Sequence, residues 1–115
     1  MDLGLDGRVA LVTGSWRGTG VGIAAALAAE GATVLVHGLD DGATDETVAT
    51  IERAGGRAIP VIGDIRTDAG AADLVRSVRA AVERVDILVN NYGVADGTTW
   101  SEADASSWHA SYDTN

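Results

Sequence analysis

The sequence contains no cysteine, no lysine and no phenylalanine, and it has a single proline. Without cysteine the chain can form no disulfide, no thiol nucleophile and no thiolate ligand for a metal. All eight basic residues are arginine. A mechanism that needs a lysine side chain therefore cannot be completed by these residues.

Several partner classes are also poorly supported. The formal net charge of -9 disfavours nucleic acid and anionic membranes as partners. No apolar run approaches the roughly 20 residues of a membrane span, and the first residues show no signal-peptide pattern. His37 and His109 are too far apart to suggest a metal site. We expect a soluble cytoplasmic protein without a metal.

The chain is organised around the stretch from Val9 to Gly22. Four apolar residues predict a buried strand, and glycines at 14, 18, 20 and 22 lead into a helical pattern. Free amides and the dipole at a helix start favour an anion, here a pyrophosphate. The spacing is neither Gly-x-Gly-x-x-Gly nor a Walker loop, so an ordinary strand-to-helix turn is the alternative interpretation.

Strands and helices alternate along the 115 residues. The patterns predict strands at 8–13, 33–37, 57–62 and 86–89, and helices at 19–30, 44–54 and 68–84. A last helix follows Ser101 to Asp104, which fits a capping box. This alternation predicts one α/β domain over residues 1–115, with helices on both faces of a parallel sheet of strand order 3-2-1-4.

Periodicity also predicts which side chains pack inward. Pro60 favours a sheet edge for the third strand, and His37, which ends an interior strand, is interpreted as structural. Trp108 and Tyr112 are expected to pack from one face of the last helix, within the chain or against a partner. The inward face of the 68–84 helix is predicted to carry Ala71, Leu74, Val75, Val78 and Val82.

Three motifs occur in order: Thr13-Gly14-x-x-x-Gly18-x-Gly20, Asp64-Ile65 and Asn90-Asn91-Tyr92-Gly93. Together they resemble the short-chain dehydrogenase/reductase family in its shorter, single-domain form, over the N-terminal half of such an enzyme. The resemblance implies a Rossmann-type fold and hydride transfer between a nicotinamide cofactor and a carbonyl or alcohol substrate. It also implies a homo-oligomer.

The resemblance implies roles for individual residues. Asp64 would face the adenine, and Asn90 would line the cofactor and brace the sheet against Thr13. Tyr92 replaces the usual alanine and would crowd the ribose or turn toward a substrate pocket. Trp16 replaces a small residue and would cover the turn or be exposed. The expected cofactor-binding residues are Gly14, Ser15, Trp16, Arg17, Gly18, Thr19, Gly20, Gly38, Asp64, Ile65, Asn90, Asn91, Tyr92 and Gly93.

The choice between NADP and NAD depends on the end of the second strand. An acid there would repel a 2′-phosphate, but Gly38 holds that position, and Asp40 and Asp41, which come slightly later, could partly substitute for it. Arg17 lies where arginine often lies in NADP-preferring members, and its guanidinium suits a phosphate. NADP is therefore favoured over NAD.

Asn115 aligns with the catalytic asparagine of the family, although a frayed terminal residue is the alternative. The resemblance places the catalytic serine, tyrosine and lysine further along. Neither Tyr92 nor Tyr112 has a lysine four residues later, so these residues alone should not turn over a ketone. The remainder of the fold is expected in further sequence or a partner. Alternative interpretations are a non-catalytic dinucleotide-binding or dimerising module and, more weakly, a methyltransferase-like domain.

Overall fold

The computed structural model describes residues 2–94, 99 and 101–115. In chain order the elements are β1 (Val9–Val12), α1 (Thr19–Ala29), β2 (Thr33–Gly38), α2 (Asp45–Arg53), β3 (Arg57–Ile62), α3 (Asp68–Ala81), β4 (Ile87–Val89) and α4 (Ala105–Thr114). The sequence-based bounds differ from these by at most a few residues at each end.

The four strands form one parallel sheet in the order β3-β2-β1-β4, as predicted. Val12 lies opposite Val36 on one side and Val89 on the other. Parallel pairing brings the carboxyl ends of the strands to one edge, where the loops that follow them meet. Pro60 lies in β3 at the edge of the sheet, where a missing amide donor is tolerated.

Apolar side chains leave both faces of the central strands. On one face Val12, Val34 and Val36 pack with Ala24 and Ile51 from α1 and α2. The other face carries Leu11, Leu35 and Val61, which pack against Leu74 of α3. Burial on both faces explains why β1 and β2 read as continuous apolar runs rather than alternating patterns.

The helix starts differ in charge. α2 carries Asp45 and Glu46 in its first turn, and α3 carries Asp68, so both follow the preference of the helix dipole for negative charge. The first turn of α1 has no acidic residue, and its N-cap, Gly18, makes no side-chain cap. The amides at the start of α1 are therefore left without the compensation that α2 and α3 receive.

The 68–84 helix is shorter than predicted. α3 ends at Ala81, and Arg84 lies beyond it, where its guanidinium bonds to Asp86 and to the carbonyl of Gly7. Val75 was predicted to face inward, but it is 47% exposed. Leu74 and the partly buried Val78 and Val82 pack against the sheet as predicted, whereas Val75 lies outside this cluster.

The last helix differs from the prediction in its capping box. This box is formed by Asp104 and Ser107, not by Ser101 and Asp104. The exposed fractions of Trp108 and Tyr112 are 59% and 85%, so neither side chain joins a core of the described residues, and packing against a partner stays a prediction. α4 has no buried residue of its own, so its apolar face does not join either core.

β4 lies at the edge of the sheet opposite β3. Leu88 in this strand is 57% exposed and belongs to neither apolar cluster of the described residues. Among the described residues, no helix is both long and apolar enough to cross a bilayer.

Candidate functional site

The glycine turn connects β1 to α1 through backbone conformations that favour glycine. Gly14 has φ of +64° and Gly18 has φ of +60°, a region that L side chains rarely adopt. At Gly20 an added Cβ would lie 2.3 Å from the carbonyl oxygen of Gly14. Gly20 therefore allows the start of α1 to approach the turn.

Gly18, unlike Gly20, does not pack against other parts of the protein. No heavy atom lies within 4 Å of where its Cβ would be, so its outer side is open. The turn thus packs tightly against the protein at Gly20 and is accessible at Gly18. An anion could approach the first amides of α1 through this opening.

His37 holds the other side of the turn. Its ring is fully buried, its Nδ1 accepts from the amide of Gly14 at 2.9 Å, and its Nε2 donates to the carbonyl of Gly63 at 2.8 Å. Ser15 Oγ accepts from the His37 amide at 2.9 Å. The structural interpretation of His37 is confirmed, and its two partners require the neutral ring with the proton on Nε2.

Thr13 and Asn91 join the loop after β4 to the turn after β1. The side-chain amide of Asn91 donates to the carbonyls of Thr13 and Gly14 at 3.1 and 3.2 Å. Thr13 Oγ1 accepts from the amides of Asn91 and Tyr92. The prediction that Asn90 braces Thr13 is therefore wrong. Asn91 does so, because the strand geometry leaves the Asn90 side chain exposed.

A cleft of about 190 Å³ lies between these two loops. Such a volume is below the roughly 300–1,000 Å³ of pockets that enclose a whole small ligand, so the cleft suits the pyrophosphate part of a dinucleotide. Its lining comprises Gly14, Trp16, Arg17, Gly18, Thr19, Asn91, Tyr92 and Gly93, all of them predicted cofactor-binding residues.

The two unusual aromatic residues meet in this cleft. Trp16 stacks on Tyr92 with ring centroids 5.9 Å apart and an interplanar angle of 29°. The Arg17 guanidinium lies 5.1 Å from the Trp16 ring centroid, a cation–π arrangement. Trp16 is thus partly covered, and Tyr92 turns toward it.

Asp64 follows β3 and binds Arg66, a partner that sequence reasoning missed. The Asp64 carboxylate accepts from Arg66 Nε and a terminal nitrogen at 2.9 and 2.8 Å, and from its amide at 3.1 Å. The Arg66 guanidinium is the main cause that lowers the pKa of Asp64 to about 2. The sequence feature that indicates this pair is an arginine two residues after the aspartate that follows a strand. Neighbouring Ile65 packs against the core face that contains Leu74.

Gly38 is the last residue of β2 rather than a turn residue. An added Cβ would lie 3.0 Å from both Ala43 Cβ and Thr44 Cγ2. The position that an acid would occupy in the resemblance is therefore closely packed here. Asp40 lies beyond it and is exposed.

Asn115 lies beside the loop after β4. Its side chain accepts from the amide of Val94 at 2.7 Å and donates to the carbonyls of Val94 and Ser111 at 3.0 and 2.9 Å. An added Cβ on Gly93 would lie 2.3 Å from Asn115 Oδ1. These contacts bring Asn115 to the same end of the sheet as the glycine turn.

The strand order, the crossovers and the glycine turn together define a Rossmann-type α/β fold, with the glycine turn and the uncapped start of α1 at the carboxyl end of its strands. A family model described as short chain dehydrogenase matches residues 8–115. The chain belongs to the short-chain dehydrogenase family.

Relatives with assigned activities agree with this membership. A 3-oxoacyl-[acyl-carrier-protein] reductase of Synechocystis is 37% identical over 112 residues, covering 96% of this chain and 45% of that protein. The structure of a 3-oxoacyl (acyl-carrier-protein) reductase from Agrobacterium tumefaciens with NADP bound superposes with a TM-score of 0.82, at 36% identity, over 96% of this chain and 42% of that one.

L-sorbose reductase from Gluconobacter frateurii, complexed with NADPH and L-sorbose, gives a TM-score of 0.85 at 35% identity, over 99% of this chain and 44% of that one. The chain therefore spans less than half the length of these relatives.

Proposed function

We propose that this chain supplies the dinucleotide-binding half of an oxidoreductase that uses NADP(H) and acts on a carbonyl or alcohol group. The observation that carries the proposal is the glycine turn, which is open at Gly18 and leads into an uncapped α1. Family membership and relatives solved with NADP or NADPH support it.

The residues of the turn fit a pyrophosphate. Because Gly14 and Ser15 donate their amides to His37, we assign the anion to the later amides, from Gly18 into the first turn of α1. Thr19 lines the same cleft. When bound, the nicotinamide supplies hydride transfer, and the turn of this chain holds and orients its carrier.

We propose Arg17 as the residue that favours NADP over NAD. Its side chain is exposed at the mouth of the cleft, and a guanidinium binds a phosphate with paired donors. Gly38, which is closely packed and has no carboxylate, offers nothing that would repel a 2′-phosphate. Asp64, which follows β3, would serve the adenine only if Arg66 releases or shares its carboxylate.

Titration of the purified chain with NADPH and NADH tests this assignment. Arg17→Ala should weaken NADPH binding by roughly tenfold or more and leave NADH binding nearly unchanged, since a charge-assisted contact to the 2′-phosphate is lost. Arg79→Ala, an exposed arginine on α3, is the control for charge. Equal affinity of the native and Arg17→Ala chains for NADPH contradicts the NADP assignment, and no binding of either dinucleotide contradicts the proposal as a whole.

A second candidate, a module that binds dinucleotide without turnover, is favoured by the complete absence of lysine from these residues. In this case NADPH binds but a panel of ketones causes no loss of its absorbance. The first candidate requires that turnover appear once residues beyond Asn115, which include the tyrosine and lysine implied by the family, are present with this half. For that enzyme we propose Asn115 as a catalytic residue.

A further inference from the structure

We propose that His37 is the positioning residue of the dinucleotide turn, which it holds in the binding conformation by accepting a hydrogen bond from the Gly14 amide. This inference rests on the proposed function, because the turn that His37 holds is the one assigned to the pyrophosphate.

The contacts of His37 converge on one segment. The Gly14 amide donates to its Nδ1 and the Ser15 amide donates to its carbonyl, at 2.9 and 3.1 Å. Its own amide donates to Ser15 Oγ, and its ring meets the Trp16 ring edge-on with centroids 6.2 Å apart. Three consecutive residues of the turn therefore touch one side chain or its backbone.

Burial makes these contacts matter. His37 and Ser15 are both fully buried, and a buried donor that loses its acceptor is costly because water cannot replace it. Gly14 adopts φ of +64° in a turn where glycine has other accessible conformations. If the Gly14 amide has no acceptor, the turn spreads over these conformations, and the apparent affinity falls with the fraction that remains competent to bind.

The carbonyl of Gly63 fixes the orientation of the His37 ring. Nε2 donates to the carbonyl of Gly63, at the end of β3, so Nδ1 carries a lone pair toward Gly14. His37 thus ties the end of β3 to the turn after β1 across the intervening strand. Protonation would place a second donor on Nδ1, opposite the Gly14 amide, and remove this hydrogen bond.

The surroundings of the ring determine the direction of a pH effect. Burial is the largest influence and lowers the pKa of His37, while the Gly63 carbonyl and the charge of Asp64 act in the opposite direction. Asp64 is itself paired with Arg66. The elements in contact with the ring otherwise present Trp16, Ser15 and Val61, which do not titrate in this range. Dinucleotide affinity should therefore fall as the pH drops below the ordinary histidine value of 6.5.

Two matched variants separate positioning from a general structural role. In His37→Asn the amide oxygen can replace Nδ1 and accept from Gly14, while the contact to Gly63 is lost. In His37→Gln the longer side chain can replace Nε2 and donate to Gly63, while the contact to Gly14 is lost. Each variant loses one hydrogen bond, so thermal melts should show similar destabilisation of both.

The expected result is that NADPH binds His37→Asn within about threefold of the native affinity and binds His37→Gln roughly tenfold more weakly. As the pH falls through the pKa of His37, which burial lowers from 6.5, the ratio of native to His37→Asn affinity should fall, and this ratio cancels the titration of the ligand. Equal binding by the two variants overturns the inference.

A ligand-free readout keeps the inference distinct from the proposed function. Amide exchange at Gly14, followed by NMR, should remain slow in His37→Asn and become fast in His37→Gln. If the native chain binds no NADPH, the proposed function fails, whatever this exchange shows. If NADPH binds but Gly14 exchanges equally in both variants, the proposed function stands and the role of His37 is refuted.

Discussion

At the scale of single residues, Gly20 marks the place where α1 comes closest to the glycine turn. A methyl group there would lie 2.3 Å from the Gly14 carbonyl oxygen and 2.8 Å from Ser15 Cα. Both are backbone atoms, which cannot rotate away. We expect Gly20→Ala to lower the free energy of unfolding by about 1–3 kcal/mol, as overpacking does, and to abolish NADPH binding, measured by denaturant unfolding and titration.

Gly22 provides the matched control for this substitution. It lies in the same helix, but no heavy atom is within 4 Å of its Cβ position. Gly22→Ala should leave NADPH binding intact and raise stability by up to about 1 kcal/mol, because alanine favours the helix. Unimpaired binding by Gly20→Ala would show that the turn tolerates a wider separation from α1.

The pair of Asp64 and Arg66 gives a residue-scale prediction about pH. The guanidinium lowers the folded-state pKa of Asp64 to about 2, from an ordinary value of 3.8. The contribution of this carboxylate to stability is therefore present above pH 3.8 and is lost as the pH falls through about 2. Arg66→Ala should raise the pKa of Asp64 from about 2 toward 3.8 without reaching it, because the amide of residue 66 still donates to the carboxylate, and NMR of the carboxyl carbon measures this.

Arg76→Ala is the control, because Arg76 pairs with Asp73 on α3 and its removal should leave the Asp64 titration unchanged. A pKa of Asp64 that stays near 2 in Arg66→Ala would assign the shift to another group.

The glycine turn was predictable from sequence because only a residue without a side chain fits its positions, through a positive φ at Gly14 and through close packing at Gly20. Residue roles were not predictable where neighbours in sequence compete for one partner. Asn90 and Asn91 have the same side chain, and strand alternation alone sends Asn91 to Thr13 and Asn90 to solvent. A one-residue difference in where β4 ends reverses this choice, and sequence patterns do not locate strand ends so closely.

At the scale of elements, α4 tests how a helix with no buried residue is held. Asp104 caps it by accepting from the amide of Ser107. Asp104→Ala should destabilise the helix by about 1 kcal/mol, seen as faster amide exchange over residues 105–114. Ser101→Ala, at the cap position that the sequence suggested, should change nothing. If Ser101→Ala speeds exchange as much as Asp104→Ala does, the helix begins earlier than it does in the structure.

Sequence periodicity predicted which segments are helices and which are strands, but it predicted only some of the helix faces that pack against the sheet. The apolar runs of β1 and β2 and the missing amide of Pro60 are local features of the sequence, and they are sufficient to predict two buried strands and one edge strand. Val75 and Trp108 are apolar at helical spacing and nevertheless exposed. Periodicity identifies which side chains share a face of a helix, but what covers that face depends on residues distant in sequence.

At the scale of the whole molecule, the β4 edge should make the 115-residue chain associate. Leu88 is 57% exposed in a strand that, within the described part of the chain, pairs with β1 alone, and such edges recruit further strands. Leu88→Glu should reduce concentration-dependent association in sedimentation velocity. Val75→Glu, which changes a residue of similar exposure on α3, should not. Equal effects of the two changes would point to general hydrophobicity instead of the edge.

The uncompensated start of α1 has a consequence for kinetics. The molecule carries 17 acidic and eight basic side chains, so an incoming dinucleotide, itself an anion, is repelled at long range. The start of α1 attracts it only at short range, near the first turn of the helix. Added salt screens the first effect more than the second. The association rate of NADPH should therefore increase with ionic strength, which stopped-flow mixing can measure and which is the reverse of the behaviour of charge-steered enzymes.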